Sequence, residues 1–240
     1  MNRIDHLKEL YGLLDQLESV SGGMRLLCEL RPRNPRRGVY FFFEPGEQRT
    51  DSGRGPRLTR IGTHGLGAGA KSTLQRRLRQ HRGNTVGAGN HRGSIFRLLV
   101  GETLSARGDC PECLSWGKKS SMAAAVDELG ASRDDLRARE EPIERAVSEY
   151  LGKMPFLLRP VDDDPGRDSL RGVIERNTIA LVSNLGRDPL EPPSTAWLGR
   201  SSKRQRVTQS GLWNQGHVDE AYRPDFLRVF ESLMTRGLHL

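Results

Sequence analysis

The run Gly38-Val39-Tyr40-Phe41-Phe42-Phe43 constrains the fold more than any other stretch of the chain. Every residue after the glycine is β-branched or aromatic, so the segment reads as a strand buried in an interior. Glu44-Pro45-Gly46-Glu47 supplies turn chemistry. Beyond a polar, Gly-rich loop, Arg57-Leu58-Thr59-Arg60-Ile61-Gly62 gives a second strand, and a β-hairpin is the economical way to join the two.

Helical periodicity surrounds this hairpin. Ile4, Leu7, Leu10, Leu13, Leu14 and Leu17 recur at helical spacing over residues 4–20, and Ser21-Gly22-Gly23 ends the pattern. A basic, turn-rich segment, residues 31–37, leads into the first strand. After the small-residue loop Gly65–Ala70, Ser72 or Thr73 caps a helix over 74–81, whose Leu74 and Leu78 face inward while Arg77 and His81, four apart, share a face. The apolar run Ser94–Val100 reads as a third strand, residues 143–151 as a helix and Met154–Val161 as a fourth strand. An acidic turn, Asp162–Gly166, then opens a helix over about 169–183. Strands interleaved with helices behind an antiparallel hairpin predict an α+β fold, a small mixed β-sheet flanked by helices with a helical N-terminus and insertions. With 240 residues the expectation is a single domain over 1–240, elaborated at about 102–142 and in the Pro/Ser/Arg-rich stretch 186–209.

Composition narrows the partners. The net charge is +8 and the basic residues are mostly arginine, whose planar fork grips phosphate, so a polyanionic partner is the natural inference; charge alone leaves a merely solubilising surface open. No apolar run approaches the roughly 18 residues of a membrane span, and the N-terminus lacks an apolar signal core. The expectation is no membrane and a soluble, cytoplasmic protein. Three cysteines are too few for a disulfide framework, which suits a reducing compartment. Cys110-Pro111-Glu112-Cys113 has zinc-knuckle spacing without a second cysteine pair.

The order of the elements carries more than any one of them. A Gly-Val-Tyr strand, a hairpin partner ending in Ile-Gly, a helix of the form Leu-x-x-Arg-Leu-x-x-His, the later Ile174-Glu175-Arg176-Asn177-Thr178-Ile179 and Ser210-Gly211-Leu212-Trp213-Asn214 together resemble the GIY-YIG nuclease family, in particular its restriction-enzyme-like branch. The likeness covers about 36–100 and 155–215. It implies that Tyr40 matches the first motif's tyrosine, Arg77 the helix arginine, His81 the histidine one turn later, Glu175 the metal ligand and Asn214 the closing asparagine. One position departs from the pattern. Arg60 stands where the family has its second tyrosine, and Thr63 where a lysine is frequent.

Phosphodiester hydrolysis needs an activated water, charge stabilisation on the nonbridging oxygens and neutralisation of the leaving oxygen. A hard cation, Mg²⁺ or Mn²⁺, keeps several waters, so Glu175 alone can anchor it. Arg77 would hold the phosphate. A tyrosine, with an unperturbed pKa of about 10, needs a nearby cation to act as a base. Imidazole does not, so His81 and His64 are the other candidates. Arg60 is too basic to accept a proton but suits phosphate, and Arg76, His91 and Arg92 join it as candidate nucleic-acid contacts. The expected activity is a DNA endonuclease, with a homodimer suited to cutting two strands. The alternative is a nucleic-acid-binding module of the same fold without catalysis, which the missing second tyrosine motivates.

Overall fold

A computed structural model describes residues 1–30, 36–166 and 168–235. Most of the basic segment 31–37 therefore lies outside the described residues.

Helix α1 (Arg3–Ser21) begins with a reciprocal cap, in which Asn2 Oδ1 accepts from the Asp5 amide and the Asp5 carboxylate accepts from the Asn2 amide. It ends where Gly22 enters the left-handed region. Strand β1 (Gly38–Gln48) occupies the centre of a three-stranded sheet, between β2 (Pro56–Gly62) and β3 (Phe156–Pro160), and both pairings are antiparallel. The α+β class stands. The sheet is smaller than the sequence reading and carries no parallel pair, because Ser94–Val100 is not a strand.

That segment opens helix α3 (Ile95–Arg107), capped by the Ser94 hydroxyl and closed by Gly108 in the left-handed region. The physical reason lies just past the run. Phe96, Leu99, Val100, Thr103 and Leu104 are all buried, the spacing of one helix face, and the first six residues alone cannot distinguish that face from a buried strand. The other helices are α2 (Leu74–Arg82), α4 (Met122–Leu129), α5 (Arg133–Gly152), α6 (Leu170–Val182), α7 (Gln205–Ser210) and α8 (Asp225–Thr235). The stretch 102–142 thus holds the end of α3, all of α4 and the first half of α5. Among the described residues no helix is long and apolar enough to cross a membrane.

Alternation along β1 divides the interior. Val39, Phe41 and Phe43 face a core built with α1, α6 and α8; Tyr40 and Phe42 face another built with α2, α3, α5 and the indoles of Trp197 and Trp213. Both outer edges of the sheet are occupied. Along β2 the Trp213 amide donates to the Thr59 carbonyl at 2.8 Å, and the Asn214 side chain pairs with both the N–H (3.2 Å) and the C=O (2.9 Å) of Ile61. Along β3, Arg25 and Phe156 exchange backbone hydrogen bonds at 3.0 and 2.8 Å.

Candidate active site

The cleft that gathers His64, Arg76, Arg77 and Glu175 of the predicted residues, but not Tyr40, His81 or Asn214, is built at one end of β2, where the chain leaves the sheet. Its volume is about 600 Å³, and Thr63, His64, Arg76, Arg77, Gln80 and Glu175 line it. Helix α2 is fixed by the Thr73 cap and by Leu74 and Leu78 in the core, which turns Arg76 and Arg77 toward the opening. Arg77 is steadied by bonds from Nη1 to Gln80 Oε1 (3.3 Å) and the Gly93 carbonyl (3.1 Å).

Glu175 enters from α6. The Thr63 backbone N–H donates to its Oε1 at 3.0 Å, so the residue just after β2 grips the carboxylate through the main chain. Burial pushes the Glu175 carboxyl above the usual carboxylate range, against the pull of Arg60, the Thr63 amide, His217 and Arg77. Thr63 is further pinned by its hydroxyl, which donates to the Gly38 carbonyl at 2.7 Å. A threonine therefore does structural duty where a lysine would have brought charge.

A second set is buried in the core and does not line the cleft. The Tyr40 hydroxyl and His81 Nε2 are 2.9 Å apart, His81 Nδ1 meets the Ser94 hydroxyl at 2.8 Å, and both rings are fully buried. Gly62 faces Tyr40 across the hairpin, and a Cβ there would fall 2.3 Å from the phenol oxygen. The glycine at the end of β2 is thus the space the tyrosine occupies. Desolvation, then the charges of Arg77, Arg60 and Arg97, holds the His81 imidazole well below its usual range, so it is neutral. Arg60 belongs to this buried set. Burial lowers its guanidinium from the usual range, with smaller effects from Tyr40, Arg77 and Glu175.

His64 lines the cleft, yet among the described residues neither of its buried ring nitrogens has a hydrogen-bond partner within bonding geometry. Burial, followed by the Arg171 charge, pulls its imidazole down to about 4. Arg171, itself paired with Asp163, donates to the His64 carbonyl at 2.6 Å and fixes the loop.

Four expectations are corrected by these placements. Arg60 cannot lie on a phosphate at the surface, because it is 5% exposed and Nη1 donates to the Trp213 carbonyl. His91 is buried, hydrogen-bonded to Glu144 Oε1 (3.0 Å) and stacked on Trp116 with ring centroids 3.9 Å apart. Arg92 spends its fork on Glu140 at 2.6 and 2.7 Å. Asn214 uses both ends of its amide on the Ile61 peptide, so it holds β2 in place and does not line the cleft. Arg76 alone of the four predicted nucleic-acid contacts is exposed at the cleft. Cys110 and Cys113 each meet a serine hydroxyl, of Ser105 and Ser115, and no group of three or more His, Cys, Asp or Glu assembles as a metal cage among the described residues.

Comparison with protein families returns a match to the GIY-YIG domain over residues 1–239. The chain belongs to the GIY-YIG domain family. That family is one of nucleases, and here the match runs through the helical N-terminus and the 102–142 elaboration as well as the motif-bearing core. Curated proteins and solved structures gave no match. Three elements of this GIY-YIG domain escaped the sequence reading: the Thr63 amide on Glu175, the Ser94 hydroxyl behind His81, and the buried Arg97–Glu144 pair that braces the His81 carbonyl through Arg97 Nη1 at 2.8 Å. Only Ser94 left a trace in the sequence, as a serine preceding an apolar run.

Proposed function

We propose that this GIY-YIG domain is a metal-dependent endonuclease that hydrolyses phosphodiester bonds in DNA. The observation that carries the reading is the meeting of Glu175, Arg77 and Arg76 in one cleft. A carboxylate gripped by one backbone amide, half-buried and without an ion pair among the described residues, suits a hard divalent cation that keeps water on its other positions. Glu175 would hold Mg²⁺ or Mn²⁺, which when bound supplies Lewis-acid stabilisation of phosphate charge and lowers the pKa of bound water. Arg77, positioned by Gln80 and Gly93, holds the scissile phosphate, and Arg76 follows the strand at the rim.

Of the three groups that accept a proton, two are weak choices. His81 is neutral, but both its nitrogens are engaged and three guanidinium groups oppose its protonation. His64, down at about 4, is a poor base near neutral pH. Tyr40 remains. One cleft per chain serves one strand, so cutting both strands of a duplex calls for two copies, and a homodimer fits that need.

Supercoiled plasmid incubated with the protein and Mg²⁺ or Mn²⁺ tests the reading. Wild type is expected to nick it, and Glu175→Ala to lose at least about 100-fold of the rate; equal nicking by the two, or none by wild type, sinks it. The second reading, a DNA-binding module without turnover, is favoured by Arg60 at the second-tyrosine position. It predicts binding without nicking, with log K falling by about 0.9 per neutralised phosphate for each tenfold rise in salt.

A further inference from the structure

Acidic residues are missing from a long stretch of this chain. From Ser52 to Gly101 there is no aspartate or glutamate, while the same stretch carries ten lysines and arginines. Acids from outside it claim three that are buried: Arg57 meets Glu47 at 2.6 Å, Arg92 meets Glu140 at 2.6 Å and Arg97 meets Glu144 at 2.5 Å. Arg60 is buried as well, and Arg54 sits at the hairpin tip. The remaining five gather on one element. Lys71 precedes α2, and Arg76, Arg77, Arg79 and Arg82 lie along it. None of the five belongs to an ion pair among the described residues. Leu74, Leu78 and His81 turn the other side of the helix into the core, which leaves Arg76 and Arg79 exposed and Arg77 and Arg82 half-buried.

The second surface that adjoins the cleft is neutralised locally. Leu66 lines both the cleft and a groove of about 840 Å³. In that groove His217 bonds Glu220 at 2.8 Å, Arg176 pairs with the same carboxylate, and Arg223 is accompanied by Asp168 and Asp225. A run of phosphates laid there would meet carboxylates beside the cations. Along α2 it meets a helix with no acid of its own, and Glu149, in the recess beside Arg82, is already paired with Lys153 at 2.8 Å. Like charges crowded on one helix repel each other, and a polyanion relieves the repulsion.

Spacing gives the partner a shape. Arg76, Arg79 and Arg82 follow one another three residues apart, as neighbours on the helix surface. At 1.5 Å per residue the row is about 9 Å long. A DNA strand places one phosphate per about 3.4 Å of its axis, so the row matches two or three consecutive phosphates. Arg76 also lines the cleft that holds Arg77 and Glu175, so the row starts at that cleft.

We propose that this face of α2 is the bed on which the DNA backbone leaves the cleft, with Arg76, Arg79 and Arg82 gripping successive phosphates on one side of the bond to be cut. This deepens the nuclease reading, rests on it for DNA as the partner, and gives the substrate a direction: along α2 toward Arg82, and not into the groove beyond Leu66. Such contacts hold the backbone and read no bases, so their loss weakens every sequence alike.

Fluorescence anisotropy of a short labelled duplex with the full chain, over a series of KCl concentrations and in EDTA so that no cutting intervenes, tests the bed. Arg79→Gln with Arg82→Gln removes two phosphate contacts. The slope of log K against log salt should flatten by about 1.8, a loss of about 60-fold in about 0.1 M salt that closes toward about 1 M. Arg79→Lys with Arg82→Lys keeps both charges and should keep most of the slope. Arg176→Gln with Arg223→Gln, in the groove, should leave it where it was. An unchanged slope in the α2 glutamine variant overturns the proposal, as does equal flattening in the groove variant. Should the double variant not fold, Arg79→Gln alone, at an exposed position, decides the matter with about 0.9 expected. Wild type that shows these slopes but nicks no plasmid strikes the nuclease reading and leaves the α2 bed standing. Wild type that nicks, with slopes unmoved by the α2 changes, strikes the bed alone, and wild type that does not bind the duplex strikes both.

Discussion

Tyr40 and Phe41 are neighbours in β1 and lead into two different interiors. On the Phe41 side the ring stacks on Phe230 of α8 with centroids 5.5 Å apart, among leucines of α1 and the apolar face of α6. Its interactions are non-directional, and their worth follows the area removed from water. On the Tyr40 side the same depth of burial admits a glutamate shared between two indoles and a phenol, an Arg–Glu pair that also holds a histidine, and a second histidine between a tyrosine and a serine. There each polar group must find its partner, because a buried one left unpaired costs more than the bond would have returned. One face holds the fold together by area, the other by satisfaction of polar groups, and the cleft opens at the end of the second.

The largest way to break this contrast is Glu144→Ala. It strands Arg97, bound at 2.8 and 2.5 Å, and His91 in an interior with no other carboxylate for them, and should cost about 3–5 kcal/mol in urea unfolding. The paired change Arg97→Met with Glu144→Leu should return most of that loss, since apolar replacement of both partners is often neutral. Failure of the pair to recover would mean that the network's geometry, and not its charge balance, holds this face. A smaller effect is expected at Gly62. The added methyl of Gly62→Ala collides with the phenol oxygen and ring edge of Tyr40, at 2.3–2.5 Å, and should cost about 1–3 kcal/mol. Nicking should fall with it, and an unchanged rate would separate the position of Tyr40 from catalysis.

The smallest effect concerns acid. His64 is neutral in the fold down to about 4, while the unfolded chain takes up its proton near 6.5. Between those values the unfolded state binds more protons, so this contribution is fully present above about 6.5 and is lost as pH falls toward about 4. Urea midpoints of His64→Gln should therefore decline less than wild type over that window. Parallel curves would show that His64 is as well solvated folded as unfolded.

Much of the apolar half was legible in advance. The leucine spacing of α1 and the aromatic run of β1 are local, and each was read in its place; residues 44–47, read as a turn, lie inside β1 where the pairing with β2 shifts register. The apolar run at Ser94–Val100 was misread because its helical period becomes visible only when Thr103 and Leu104 are counted with it. The polar half was legible only where residue order matched a family pattern, at Tyr40, Arg77, His81 and Glu175. Its supports were not. Glu144 lies 47 residues from Arg97 and 53 from His91, and nothing local distinguishes it from the other acids of α5. His91 and Arg92 looked like free loop residues for the same reason: the carboxylates that claim them are on another helix.

The sheet's borders carry a consequence for how copies of this chain meet. Trp213 and Asn214 occupy backbone groups of Thr59 and Ile61 along one rim, while Arg25 covers only Phe156, the first residue of β3, along the other, so the first rim is the less open template for an incoming strand. On the β2 rim, any contact with another molecule would have to use side chains in place of strand pairing at Thr59 and Ile61.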